Sequence, residues 1–252
     1  MKKRPAIPPR QRADTLLVER GLFESRAKAQ AAIEAGLVVA NEMPVTKASL
    51  ELPADAVLRA EPAHPFVSRG GVKLNAALDH FGFDPAGRIC LDVGASTGGF
   101  TDALLARGAK RIYAVDVGRE QLHRRLRARD EVVVLESTDI RALAASRLAP
   151  PPNLVVIDVS FISLKLVLPA ALALARSPAR LIALIKPQFE AGRAHVKKGI
   201  VRDARIHAAV GEDLTHAVAA LGWNVLGLMA SPILGRDGNR EFLLGARIGD
   251  PA

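Results

Sequence analysis

Beyond residue 88 the chain alternates short, unbroken apolar runs with segments of helical length. Ile89, Leu91 and Val93 flank Asp92; Arg111-Ile-Tyr-Ala-Val-Asp116, Val132-Val-Val-Leu135, Leu154-Val-Val-Ile-Asp158 and Leu181-Ile-Ala-Leu-Ile-Lys186 follow. Runs without polar alternation fit parallel strands covered on both faces. Between them residues 101–107, 121–129, 164–175 and 205–221 read as helices, and residues 241–248 as a last strand. Such alternation predicts an α/β fold with an open, mostly parallel, Rossmann-like sheet. A further helix is expected to open at Lys73 and run through Leu74, Ala77, Leu78 and Phe81.

The front of the chain has a different rhythm. Asp14 or Thr15 can cap a short helix carrying Leu16 and Leu17, and Ser25 can cap a second through Ala29, Ala32 and Ile33, stopped by Gly36. Leu37-Val-Val-Ala40 and Met43-Pro-Val45 flank Asn41-Glu42, a turn between two short strands, and Val57-Leu58 offers a third. A small α+β domain over residues 1–61 is expected, then a linker at 62–67 marked by Pro62 and Pro65, then the α/β domain over 68–252.

The strand at Ile89 runs into Gly94-Ala-Ser-Thr-Gly-Gly-Phe100. Glycines in a strand-to-helix turn let backbone N–H groups approach a ligand at the positive end of the helix. The spacing is neither the dinucleotide G-x-G-x-x-G nor a P-loop, which needs a lysine. An acid at the leading edge suits a ligand with amine and hydroxyl donors, which points to S-adenosylmethionine; a sharp turn with no ligand is the alternative. The next strand ends in Asp116, about 20 residues on, where a carboxylate can take a ribose diol. Asp139 follows the third strand and Asp158 ends the fourth. A series of acids at strand ends favours the ligand. The candidate donor-binding residues are therefore Asp92, Gly94, Ser96, Thr97, Gly98, Gly99, Phe100, Asp116, Asp139 and Asp158.

Composition narrows the partners. The 252 residues carry a formal charge of +9, which attracts a polyanion, nucleic acid first. No apolar stretch reaches the roughly 20 residues of a spanning helix, and the basic start lacks the apolar core of a signal peptide. A soluble cytoplasmic protein without a membrane partner is expected. The single cysteine, Cys90, lies inside a strand, so a thiolate-dependent cytosine C5 transfer is disfavoured. No Asn-Pro-Pro-Tyr-like segment follows the fourth strand to grip an exocyclic amine. His64, His80, His123, His195, His207 and His216 are scattered, and no metal site is expected. Nothing in the pattern sets an oligomeric state.

The segment from Arg12 to Leu58 resembles the S4 RNA-binding domain through Leu16-Leu-Val-Glu-Arg-Gly-Leu22, Ser25-Arg26 and Ala35-Gly-Leu-Val-Val39. Over nearly its full length the chain resembles the TlyA family. The matching motifs are Ser68-Arg-Gly-Gly-Val-Lys-Leu74, Asp92-Val-Gly-Ala-Ser-Thr-Gly-Gly-Phe100, Ile157-Asp-Val-Ser-Phe-Ile-Ser163, Ile185-Lys-Pro-Gln-Phe-Glu190 and Asn239-Arg-Glu-Phe242. The resemblance implies an S4 domain fused to an FtsJ-like, S-adenosylmethionine-dependent methyltransferase that modifies cytidine 2′-hydroxyls in ribosomal RNA, of the large subunit and, as a further candidate, the small. It also implies that the Lys-Asp-Lys-Glu roles of FtsJ-type enzymes fall on Lys73, Asp158, Lys186 and Glu241. The rival readings are a non-catalytic S4-type RNA-binding protein and, from a name used in the family, a membrane-active haemolysin.

The chemistry is consistent with that set. A ribose 2′-hydroxyl is a poor nucleophile and needs its proton removed as the methyl approaches in line. Lys186 ends the fifth strand at the donor edge, and Asp158 on the adjacent strand can orient it. Candidate RNA contacts are Arg4, Arg10, Arg12, Arg20, Arg26 and Lys28 in the front module, with Arg69, Arg193, Lys197 and Lys198 beyond it. The cluster Arg119, His123, Arg124, Arg125, Arg127 and Arg129 is either a solvated helix face or a further RNA contact. Aromatic residues make up 4% of the chain, so phosphate contacts and RNA shape are expected to outweigh base stacking, partners being ribosomal RNA or ribosomal subunits.

Overall fold

A computed structural model describes residues 9–235 and 237–249. The chain divides into two compact units, residues 1–65 and 66–252. The smaller contains β1 (Arg10–Arg12), α1 (Ala13–Glu19), α2 (Arg26–Glu34), β2 (Val38–Ala40), β3 (Met43–Pro44), β4 (Glu51–Pro53) and β5 (Leu58–Ala60). The larger contains α3 (Gly70–Phe81), β6 (Ile89–Val93), α4 (Gly99–Ala106), β7 (Arg111–Val115), α5 (Arg124–Arg127), β8 (Val132–Leu135), β9 (Leu154–Ile157), α6 (Leu164–Ala173), β10 (Ala179–Ile185), α7 (Pro187–Glu190), α8 (Ala204–Ala220), β11 (Asn224–Ala230) and β12 (Phe242–Ile248).

In the smaller unit Leu16, Leu17, Ala29, Ala32 and Ile33 close a core with Val38 and Leu52. Ser25 caps α2 by accepting from the Lys28 amide, and Asn41 and Glu42 form the β2–β3 turn with positive φ. β5 pairs with β2 as the third strand. The proposed cap at Asp14 or Thr15 is not found. Arg12 stands at the N-cap position of α1 with no side-chain cap bond, and Asp14 is buried inside the first turn. Its carboxylate takes bonds from Arg12 (3.0 Å to each oxygen), Arg26 (2.8 Å) and Gln30 (2.7 Å). Its role is to gather side chains, and the Arg12 guanidinium beside it holds its pKa well below the ordinary carboxylate range.

The larger unit is one seven-stranded sheet in the order β11-β12-β10-β9-β6-β7-β8. β10-β9-β6-β7-β8 run parallel, while β12 runs antiparallel to β10 and to β11. Side chains alternate between two helical layers. Leu91, Val93, Val155 and Ile157 join the cluster containing α6 and α8, whereas Cys90, Leu154 and Val156 join α3 and α4. Strand order reverses between β6 and β9, and in such sheets ligands sit in the crevice beyond that switch point.

Three sequence expectations are corrected. Phe66 and Val67, assigned to the linker, pack in the larger unit: Phe66 lies against Gly71, and the Val67 amide donates to Asp102. The helix expected over 121–129 shrinks to the single turn α5, because the Arg125 amide bonds to the His123 ring and the Leu126 amide to the His123 carbonyl instead of to carbonyls four residues back, while the Glu136 carboxylate accepts from the amides of the preceding loop. α3 begins at Gly70, so Lys73 lies within its first turn instead of opening it.

Candidate active site

The loops after β6, β7, β8 and β9 open on one edge of the sheet, and each holds one non-glycine residue in the left-handed region: Ser96, Glu120, Ser137 and Phe161. Strained backbone gathers where a surrounding structure holds it for a purpose. Two adjoining clefts lie there. The larger, about 510 Å³, is lined by Gly94, Ser96, Asp116, Gln121, Asp139 and Asp158, with Val117, Ile140 and Ile162 as apolar wall. The smaller, about 160 Å³, is lined by Ser68, Gly70, Lys73, Thr97, Gly99, Phe100 and Lys186, and shares Gly94, Ser96, Asp158 and Ser160 with the larger.

The candidate donor residues divide by position. Gly94, Ser96, Thr97, Gly99, Phe100, Asp116, Asp139 and Asp158 line one cleft or the other. Asp116 accepts from the Ser96 amide (2.8 Å) and the Gly118 amide (2.7 Å), which ties the glycine loop to the loop after β7. Asp139 is paired with Arg141 at 2.6 Å and stays partly exposed. Asp92 and Gly98 line neither cleft. Gly98, at φ +98°, backs onto Leu122 and Leu126. Asp92 is fully buried beneath the loop and accepts from the Thr101 hydroxyl at 2.6 Å. Burial pushes its carboxyl up to about 7, against the lowering effect of that bond.

The four residues assigned catalytic roles form two lysine–carboxylate pairs. Lys73 and Glu241 are both buried and joined as an ion pair across most of the unit's sequence. Lys186 Nζ lies 2.6 Å from Asp158 Oδ1 and donates to Ser160 Oγ at 2.8 Å. Lys73, Asp158 and Lys186 line the same small cleft, with Glu241 reaching it through Lys73. Glu241 stands just before β12, and the turn at Gly235 packs against its carboxylate. Burial pushes the Cys90 thiol up to about 12, so it is a core residue and no nucleophile.

Ser68, Ser160 and Phe161 also line the clefts and were not among the candidates; all three lie inside the motifs singled out in the sequence, which was the available signal. Phe161 is 91% exposed, lines the larger cleft, and has its ring centroid 5.0 Å from that of Phe189.

The proposed RNA contacts are largely engaged within the protein. Arg10 donates to the Glu51 carbonyl (2.6 Å), Arg20 to the Ala54 carbonyl, and Lys28 pairs with Glu24 (2.7 Å). Arg12 and Arg26 share Asp14 and keep about half of their side chains exposed. Arg69 donates to the Leu234 carbonyl at 2.6 Å. Arg193, Lys197 and Lys198 are exposed on the loop after α7, whose base is fixed by Asn239 bonding to Gly199 and Val201. Arg4 lies outside the described residues. In the basic cluster Arg125, Arg127 and Arg129 pair with Asp102, Glu136 and Glu131, which supports a solvated, internally paired surface.

Residues 66–248 match the FtsJ-like methyltransferase family model and residues 11–58 the S4 domain model. A Bacillus subtilis (strain 168) protein whose name marks it as an rRNA methyltransferase, YqxC, is 48% identical over 239 residues, covering 93% of this chain and 85% of its own. The Mycobacterium tuberculosis (strain ATCC 25618 / H37Rv) protein named 16S/23S rRNA (cytidine-2′-O)-methyltransferase TlyA is 42% identical, over 94% of this chain and 90% of its own. A solved structure from Streptococcus thermophilus, named for a hemolysin, superposes with a TM-score of 0.76 at 42% identity, covering 97% of this chain and 90% of that one.

Proposed function

Since the chain belongs to the FtsJ-like methyltransferase family and carries an S4 domain ahead of that unit, we propose that it transfers the methyl group of S-adenosylmethionine to a cytidine 2′-hydroxyl in ribosomal RNA. The observation that carries this reading is the convergence of Lys73, Asp158 and Lys186 on one small cleft that opens into a larger one with acids on its rim.

The larger cleft suits the donor by its chemistry. Asp116 would accept from the ribose hydroxyls and Asp139 from the adenine amine, while Val117, Ile140 and Ile162 enclose an apolar ring. Gly94 and Ser96 border both clefts and would flank the methionine end. When bound, the donor supplies an electrophilic methyl on a sulfonium. The rest falls to this chain. Lys186 would take the proton of the 2′-hydroxyl as that oxygen accepts the methyl group. Asp158 and Ser160 hold the Lys186 nitrogen in place for that transfer. Lys73, its charge matched by Glu241, steadies the acceptor ribose in line. The exposed face of Phe161 offers a platform on which an unstacked base can rest.

RNA capture is assigned to the S4 domain and to the Arg193–Lys198 loop. Arg10, Arg12, Arg20, Arg26 and Lys28 meet phosphates, so affinity for ribosomal RNA should fall steeply with added salt.

Lys186→Ala tests the reading. It should abolish turnover while donor and RNA still bind, because the lost interaction belongs to the transition state. Lys186→Arg should fail nearly as badly, since a guanidinium cannot give up its proton near neutral pH. An active arginine variant would remove Lys186 from the role of base and leave it as a positioning group.

A further inference from the structure

The loop between β9 and α6 and the segment running from β10 through α7 are joined at three successive points. Lys186 meets Asp158 and Ser160, as described. Three residues on, Phe189 packs on Phe161. One residue further, Glu190 reaches the start of α6: its Oε2 accepts from Ser163 Oγ at 2.6 Å and its Oε1 from the Leu164 amide at 2.8 Å. Ser163 is the N-cap of α6 and also accepts from the Lys165 amide. A carboxylate from another segment therefore satisfies an open amide in the first turn of a ten-residue helix, where negative charge is favoured. That helix is seated in the main core through Leu164, Val167, Leu168 and Ala171.

We propose that Glu190 is a positioning residue for the Lys186–Asp158 pair. It fastens the segment carrying Lys186 to the rigid start of α6, and with it the loop carrying Asp158 and Ser160. The inference rests on the reading of Lys186 and Asp158 given above and extends it by one residue that touches neither donor nor acceptor cleft. The intervening loop needs such a fastening. Phe161 sits at φ +63°, a conformation that a large side chain adopts only when both flanks are held. The β9 end is held by the sheet and by Lys186; the α6 end is held by Glu190. Freed at that end, the loop can relax at Phe161, and Asp158 and Ser160 then lose their registration with the Lys186 nitrogen.

The full-length protein is assayed with ribosomal subunits and saturating labelled S-adenosylmethionine, together with donor affinity by calorimetry and the thermal midpoint. Glu190→Ala should lower kcat by up to about 100-fold, the cost of displacing a reacting group by about an ångström. Donor Kd and RNA KM should stay within about twofold, since a loosened catalytic pair leaves ground-state binding in place. Glu190→Gln should recover most of the rate, because its carbonyl can still accept from Leu164 and its amide can donate to Ser163. Ser163→Ala combined with Glu190→Ala should lose less than the sum of the two single losses, as residues that bond to each other are not additive.

A wild-type kcat in Glu190→Ala would overturn the proposal. So would a loss of rate that parallels a loss of donor affinity or of folded protein, which would mark a general structural role. Lys186→Ala, run beside it, separates the two readings. If Lys186→Ala is inactive and Glu190→Ala fully active, the positioning role alone fails; if Lys186→Ala is active, the reading of Lys186 fails as well.

Discussion

Gly94 faces Asp158 so closely that a Cβ on the glycine would stand 2.4 Å from the Asp158 carbonyl oxygen. This contact lies where the strand order reverses between β6 and β9, and it brings the glycine loop against the strand end that carries the Lys186 partner. Gly94 is also at φ +84°, which an L side chain rarely adopts.

Gly94→Ala should therefore impair two things together. The methyl group pushes the two strand ends apart, so donor affinity and turnover should both fall, each by roughly tenfold or more for a loss above ~1.4 kcal/mol. Calorimetry and a methyl-transfer assay on the same preparation check this; wild-type donor affinity would show that the close approach has no part in binding.

Asp116 accepts from the amides of two loops, so its removal loosens the rim as well as deleting an acceptor. Asp116→Ala should weaken donor binding by roughly 10- to 100-fold, the range of a charge-assisted hydrogen bond. RNA affinity, measured separately by filter binding, should change little.

Asp92 is predicted to act on stability instead of donor binding. Between the ordinary carboxylate value of about 3.9 and about 7, the folded chain keeps a proton that the unfolded chain has released. Stability should fall as pH rises across that window and level off above it. Asp92→Asn keeps an acceptor for Thr101 and removes the charge, so it should raise the thermal midpoint at pH 8, change it little at pH 4, and leave donor Kd near wild type. A variant whose midpoint falls at pH 8 would contradict this account of the buried acid.

In the smaller unit Asp14 behaves in the opposite sense. Its acidity is strengthened by Arg12 and then by Arg26 and Gln30, so the stability it supplies is present above about pH 4 and is lost as pH falls below it. Asp14→Ala leaves Arg12, Arg26 and Gln30 without their shared acceptor and should destabilise that unit by roughly 1–3 kcal/mol. It should also weaken binding to ribosomal RNA, since two guanidinium groups lose their orientation. Hydrogen exchange confined to residues 10–60 and an RNA titration would read the two effects.

The central strands were legible because β6 to β10 are covered on both faces, so apart from Asp92, Arg111 and Arg180 their sequences are apolar. β11 was missed for the converse reason. At the sheet edge its residues alternate between exposed and half-buried, and it is bent by an irregularity at Gly227. β1 and β4 are three residues each, and β1 is wholly polar, so the single apolar position Leu52 is all that marks their pairing in the sequence. Asp14 looked like a cap because acids favour helix starts, and only the fold shows Arg26 and Gln30 arriving from α2 to surround it. Residues 121–129 looked helical by their length between two strand runs, yet the Arg125 and Leu126 amides bond to His123 where a helix would carry them to Gln121 and Leu122. At the site, the strand-end acids and lysines were readable from position. Which acid lies under the loop and which faces a cleft was not, because that depends on the direction of each side chain in the pleat.

The most direct test of the central claim is nucleoside mass spectrometry of ribosomal RNA after incubation of ribosomal subunits with the full-length protein and methyl-labelled S-adenosylmethionine. The account predicts label in 2′-O-methylcytidine and its absence with Lys186→Ala. Binding without transfer, or label recovered on a base, would contradict it.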